Sequence, residues 1–525
     1  MRSLEEATDT QAMSADGSVS RERKRHTFLF RHCVRSTKSK VKLYNGNQDA
    51  LKHAADYTTK KIPKWNTPEE WCTETGIEIM RNTGAFVLEN ILLRDGEVAK
   101  NIKVQFLADT SQRDVDTALA MSLGMQDAAR KFQGLQVDGL ADLRLDHALF
   151  EPLEPDELST TTRCATYFST NQTADDIEQR IKDVLPPEPG LIEMLKLIEA
   201  LGGVGKAGKL GSIEPRSDYS LNRTELKLAG AVNVVKLFGE MMFYSRASGI
   251  YHPFLQKATL EDVYQILEWV SWSRSVLSID NVEVTTQGAV IAEFILKSME
   301  GGQFGELSCP DDYDLCATVL VGHDSTIDAV ASALGLRWKL RPPYLSGKDS
   351  IGEYVPTPPG GGMHFMYNEQ SDTLELSYLY PVYFTGHESK WELNTTGILE
   401  SVPMSLTLPI YNLTSYINSS IETTVVSSLN SVRSSMRNRM FSILTQYPGS
   451  LDCYSDIQDH QRVTSPQSEL PMELRGESYR YFTFAAIILT FSVVLCTLLI
   501  IKRTRTSDNR EKYELAEGVE QIELM

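Results

Sequence analysis

No Cys-x-x-Cys pair occurs among the seven cysteines, which removes the spacing that zinc sites and thioredoxin-type chemistry require. Positive charge is also scarce: 52 Lys and Arg stand against 70 Asp and Glu, a net charge of −18. A nucleic-acid binder needs a basic face, so no nucleic-acid partner is expected. Any anion site must be a local positive focus in an acidic surface. An N-terminal apolar run of signal-peptide length is missing as well. Residues 1 to 25 are polar and acidic, then basic from Arg21 to Arg25, and read as a disordered leader. Gly203 to Lys209 imitates a nucleotide-binding P-loop and fails as one. Leu210 stands where Ser or Thr must hold magnesium, and a helical pattern precedes the loop where a strand is required.

One further absence predicts a structure. Tyr481 to Ile501 is 21 residues without a charge. At about 1.5 Å per residue this crosses a hydrocarbon core of about 30 Å. Lys502, Arg503 and Arg505 follow at once. The pattern predicts a single-pass transmembrane helix over 481–501, with the tail 502–525 in the cytosol. The body would then be extracellular or in a lysosomal or endosomal lumen. Reaching that side requires translocation, so either a signal sequence precedes the leader, the favoured expectation, or translocation takes another route. Five Asn-x-Ser/Thr acceptors precede the anchor: Asn171, Asn222, Asn394, Asn412 and Asn418. Their placement agrees with a glycosylated body. Cys496 lies inside the anchor. The other six cysteines suit disulfides, with Cys309 and Cys316 the pair nearest in sequence.

What the chain does have is a repeated motif of an apolar run ending in charge. Thr27 to Phe30 runs into Arg31 and His32, with Arg35 close behind. Ile102 to Ala108 alternates as a strand and leads through Asp109 to Arg113. Ala317 to Val321 ends in Gly322-His323-Asp324. Helical patterns follow each run. Open α/β sheets bind ligands beyond the carboxyl ends of their strands, so these residues are expected in one crevice. The fold expected is α/β: a three-layer mixed sheet core flanked by helices over 26–420, with a smaller, mainly helical cap inserted at 135–305. Thr373 to Tyr383 reads as a late strand. Ile421, Val425, Leu429, Val432, Met436, Met440 and Ile443 step by four and three along one helix face. That helix either docks on the body or pairs with a second copy as a homodimer. A juxtamembrane stalk completes 421–480.

The clustered side chains suit phosphate chemistry. Hydrolysis of a phosphate monoester needs cations to gather the dianion, an in-line nucleophile and an acid for the leaving oxygen. Arg31, Arg35 and Arg113 offer planar forks for phosphate oxygens. His32 is a feasible nucleophile and Asp324, beside His323, a feasible acid. Phosphorylated small molecules are the expected partners.

Arg31-His32-Cys33-Val34-Arg35-Ser36-Thr37 resembles the R-H-G-x-R-x-P signature of the histidine acid phosphatases. Thr318 to Ile327 resembles their second motif, a strand followed by H-D-x-T. Thr73-Glu74-Thr75-Gly76 with Gly84 resembles their L-T-x-x-G and a later glycine, with Cys72 in the leucine's place. Arg113 with Thr117-Ala118 and Leu123-Gly124 resembles the arginine ahead of their S-A-x-x-F-L-x-G-L helix. The resemblance implies a phosphohistidine on His32, with Asp324 protonating the leaving alcohol and Arg31, Arg35, Arg113 and His323 holding phosphate oxygens. It implies no metal and no cofactor, and an acid optimum. Cys33 departs from the family's glycine, whose carbonyl is thought to orient the nucleophile. A thiol there would lower activity or make the site oxidant-sensitive. Two other readings stand beside a membrane-anchored acid phosphatase. One is a non-catalytic receptor or adhesion protein of the same fold, supported by Cys33 and opposed by retention of all six polar residues. The other is a narrower phosphatase for inositol phosphates or lysophospholipids.

Overall fold

Apolar residues fill both faces of the first strand, so it must lie inside a sheet covered on both sides. A computed structural model of the chain places it there. The structure describes residues 24 to 445, apart from internal segments of which the longest are 151–187, 206–218, 301–311, 341–355 and 408–419. Nine strands form one mixed sheet: β1 (Lys24–Arg31), β2 (Asn101–Ala108), β3 (Gln136–Asp138), β4 (Leu143–Leu145), β5 (Leu315–Gly322), β6 (Gly362–Asn368), β7 (Thr373–Pro381), β8 (Leu399–Pro403) and β9 (Val425–Val426). The order is β8-β7-β6-β1-β5-β2-β3, with β9 on β7 and β4 on β2. β1, β5, β2, β3 and β4 run parallel, and β6 joins β1 antiparallel.

Register decides what meets at the end of the sheet. Arg31 pairs with Gly322 across β1 and β5, and Ala108 pairs with Val321 across β2 and β5. All three parallel strands therefore stop at nearly one level. Their next residues, His32, His323 and Asp109, leave the sheet side by side.

The two sheet faces bury different clusters. Phe28, Phe30, Val104 and Phe106 face α1 (Glu74–Val87) and α2 (Gln112–Ala129). Leu29 and Leu320 face α7 (Val282–Glu300), α8 (Asp324–Leu334) and α9 (Leu429–Thr445). Between them in sequence lie the four-residue α3 (His147–Phe150) and the three helices α4 (Glu188–Gly202), α5 (Ala231–Ala247) and α6 (Leu260–Ser278). Helices α4 to α6 build a third core around Leu195, Ile198, Phe238 and Val263.

The segment 135–305 is thus divided rather than being a cap throughout. β3 and β4 belong to the sheet through pairing with β2, and α7 packs on the sheet core through Ile291, Ile295 and Met299. The late amphipathic helix also differs from expectation. Ile421, Val425 and Val426 lie in short strands, and the helix begins at Leu429. Its apolar face, Leu429, Val432, Met436 and Met440, is buried in the sheet core, so that face is taken by the body and not by a second copy. Arg433 anchors it through ion pairs to Glu293 at 3.1 Å and to Glu300.

Among the described residues no helix is long and apolar enough to cross a membrane. The expected anchor at 481–501 lies outside them, as do residues 1–23 of the leader, the stalk after 445, the tail, and Asn171, Asn412 and Asn418; the last two leader residues, Lys24 and Arg25, instead open β1. Asn222 ends a short strand. Asn394 is half-buried, its side-chain oxygen accepting from the Thr396 amide at 3.0 Å.

Candidate active site

His32 follows β1 directly and is almost fully buried. Its Nδ1 donates to the Cys33 carbonyl at 2.9 Å, so the proton sits on Nδ1 and Nε2 keeps its lone pair. Burial pushes the imidazole well below its ordinary range near 6.5, and the positive charges of Arg31, Arg35 and Arg113 push it the same way. His32 is therefore a neutral base held in one tautomer.

The second strand end delivers a pair. His323 is the N-cap of α8; its amide donates to Thr326 Oγ1 at 3.2 Å in a capping box. Asp324 opens the helix itself, and its Oδ2 lies 3.1 Å from Arg31 Nη2. The rings of His323 and His32 meet edge to face, 5.6 Å apart.

The third strand end brings Arg113 on the first turn of α2. Arg113 Nη2 donates to His323 Nε2. Burial lowers the His323 pKa to about 4, Arg113 adds to that effect, and Asp324 and Asp109 oppose it. All six residues expected at the site, Arg31, His32, Arg35, Arg113, His323 and Asp324, are thus drawn together around the ends of β1, β2 and β5.

Several neighbours were not expected. Tyr244 on α5 accepts from Arg31 Nη2 at 2.8 Å, while its ring lies 5.4 Å from the Arg35 guanidinium carbon. Glu240, one turn earlier, is 3.7 Å from Arg35. The Thr357 carbonyl takes Arg31 Nη1 at 2.5 Å. These contacts hold the two arginines before any substrate arrives. A cavity of about 60 Å³ opens beside Arg31, walled by Tyr244, Tyr264, Glu268 and Pro358. The i,i+4 spacing of Glu240 and Tyr244 puts both on one helix face, and that spacing was the available signal.

Asp109 and Asp114 are fully buried beside His323, with oxygens 3.4 Å from its Nδ1 and 3.2 Å from its Nε2. His147 Nδ1 donates to Asp109 at 2.9 Å. Ligand atoms of Asp109, Asp114 and His323 lie within 4.8 Å of one another, the spacing of a small metal site. Arg113 already presses its guanidinium against the same imidazole. The chain itself therefore supplies positive charge at that point.

Cys33 is a disulfide partner, not a free thiol. It is bonded to Cys72, 39 residues on. The expected oxidant-sensitive thiol is corrected accordingly. Cys316 is disulfide-bonded too; Cys309 lies outside the described residues.

A family model for the histidine phosphatase superfamily, branch 2, matches residues 24–380, spanning all three strand ends. The chain belongs to the histidine phosphatase superfamily. No curated protein matches the sequence. Solved structures share the fold. The phytase from Citrobacter braakii is 17% identical, with 79% of this chain and 97% of that chain covered and a TM-score of 0.51. Hafnia alvei phytase with myo-inositol hexakis sulphate is 14% identical, with 80% and 98% covered and a TM-score of 0.54. The apo form of the Hafnia enzyme gives 15%, 80%, 98% and 0.53. Within this family the mixed sheet and its flanking helices are what the chain shares with those phytases.

Proposed function

We propose that the chain is a membrane-anchored acid phosphatase that hydrolyses phosphate monoesters through a phosphohistidine on His32. The observation that carries this reading is a neutral imidazole with a free Nε2, ringed by three arginines, beside a carboxyl group. Nε2 attacks phosphorus, the bond to the ester oxygen breaks, and Asp324 gives its proton to the departing alcohol. Water then attacks the phosphohistidine, losing its proton to the Asp324 carboxylate, and phosphate leaves with His32 restored. Arg31, Arg35, Arg113 and His323 hold the equatorial oxygens as charge spreads over them. Anchoring rests on the uncharged run at 481–501 and the basic residues after it.

The receptor reading loses its main support, because Cys33 still presents its carbonyl to His32. Inositol phosphates remain a narrower substrate class, favoured only by the phytase fold.

The test uses the full chain in detergent with p-nitrophenyl phosphate near pH 5 and a chelator present. His32→Ala should abolish turnover, and acid quench of Asp324→Ala should trap a phosphohistidine. Equal activity in wild type and His32→Ala sinks the mechanism.

A further inference from the structure

The residue beside the nucleophile is fastened on three sides. The Cys33 carbonyl accepts from His32 Nδ1. Its amide donates to Thr117 Oγ1 at 2.8 Å, and that hydroxyl donates onward to the Arg113 carbonyl at 2.6 Å. Its side chain is bonded to Cys72. Both cysteines are buried, at 0% and 5% exposure, so the bridge is part of the site's interior.

Around the bridge the two segments pair like a short ribbon. The Thr73 amide donates to the Val34 carbonyl and the Ser36 amide to the Trp71 carbonyl, each at 3.0 Å. Arg35 and Cys72 form an isolated antiparallel bridge. Thr73 then caps α1, accepting from the Gly76 amide at 3.1 Å. A loop carrying the nucleophile on one side of Cys33 and a phosphate-binding arginine on the other is thus stitched to the start of α1.

We infer that the Cys33–Cys72 disulfide makes these two cysteines positioning residues for His32 and Arg35. A backbone carbonyl orients a ring only if the peptide carrying it cannot rotate. At this position a side chain has replaced hydrogen, and the bridge spends that side chain on fixing the peptide plane. Thr117 ties the same plane to the helix of Arg113, so nucleophile and phosphate cations share one frame. Loss of the bridge releases Cys33 on one side while removing no catalytic side chain. Small misplacements of a reacting group cost rate steeply, so a loss of about tenfold in kcat is expected.

This inference rests on His32 being the nucleophile. The experiment therefore starts from full-length wild type whose activity is abolished by His32→Ala; equality of those two overturns the nucleophile reading itself. Given that dependence, Cys33→Ala with Cys72→Ala is compared with wild type well below both melting temperatures. The expected result is a tenfold lower kcat for p-nitrophenyl phosphate, a KM that rises as Arg35 shifts, and an equal fall in single-turnover phosphohistidine formation. Cys72→Ser alone serves where the double variant does not fold. Mass spectrometry of an unreduced digest should show the Cys33 and Cys72 peptides joined in active enzyme. Unjoined peptides overturn the inference. So does a variant that melts earlier yet keeps wild-type kcat and phosphorylation rate, since the bridge would then serve stability alone.

Discussion

At His32 the surroundings work against protonation from every side. Burial, three arginines and His323 all depress its pKa below 6.5. An ordinary histidine nucleophile would lose activity as pH falls through that value; this one should not. The pH profile for p-nitrophenyl phosphate is expected to show no loss of kcat/KM between pH 7 and pH 5, and a fall with a midpoint near 6.5 would contradict the assignment. Tyr244→Phe tests the support of Arg31. The variant keeps the ring over Arg35 but removes the acceptor of a charged hydrogen bond, worth about 1.5–3 kcal/mol. A loss of roughly tenfold or more in kcat/KM is expected, and unchanged kinetics would show that Thr357 and Asp324 suffice. The catalytic candidates were legible because each charge stands just past an apolar run. Tyr244, Glu240 and Asp114 were not, because each sits inside a helical pattern, and the i,i+4 spacing of Glu240 and Tyr244 does not say what that face meets.

Helices α1 and α2 meet at two glycines, Gly84 and Gly124. A Cβ on Gly84 would lie 2.1 Å from the Met121 carbonyl oxygen, and one on Gly124 would lie 1.7 Å from that of Arg81. The two helices cross at backbone contact, which sets how far the first turn of α2 projects Arg113 over the site. Gly124→Ala must push the helices apart, an overpacking cost of about 1–3 kcal/mol. Thermal melting should show the loss, and KM should rise with it because Arg113 moves; a lower melting temperature with unchanged KM would uncouple the crossing from the site. The positions of these elements were readable from periodicity. The true start of α9 was not. Ile421 and Val425 fit its stripe by spacing, yet lie in short strands, where β9 (Val425–Val426) extends the sheet on β7. Short apolar runs satisfy both periods, and sheet edges decide between them.

Across the whole molecule, the acid optimum we propose meets an opposing demand. His26 and His364 stack inside the sheet, joined Nδ1 to Nε2 at 3.0 Å. Burial lowers His26 to about 3, with Lys24 adding, and lowers His364 well below 6.5, with His26 adding. Below 6.5 the unfolded chain binds protons that the folded chain refuses, so stability falls as pH drops and is fully present above 6.5. Each such histidine costs roughly 1 kcal/mol per pH unit in that window. His26→Leu should therefore flatten the decline in urea stability from pH 6.5 to pH 4. An unaltered slope would place the acid sensitivity elsewhere.

The sequence by itself marked β1, β2, β5 and β7, because apolar runs and apolar alternation bounded by charge have few other places to go. It picked out the candidate nucleophile, cations and acid as well, because three apolar runs each end in charge. Tertiary structure alone decided their meeting. Arg31, Ala108 and Gly322 end at one level through hydrogen-bond register between strands more than 70 residues apart; apolar alternation fixes which face a residue takes, not how far such distant strands slide along one another. It also decided the state of Cys33. From the chain that residue is a thiol in place of a glycine; only the fold brings Cys72 within bonding distance of it.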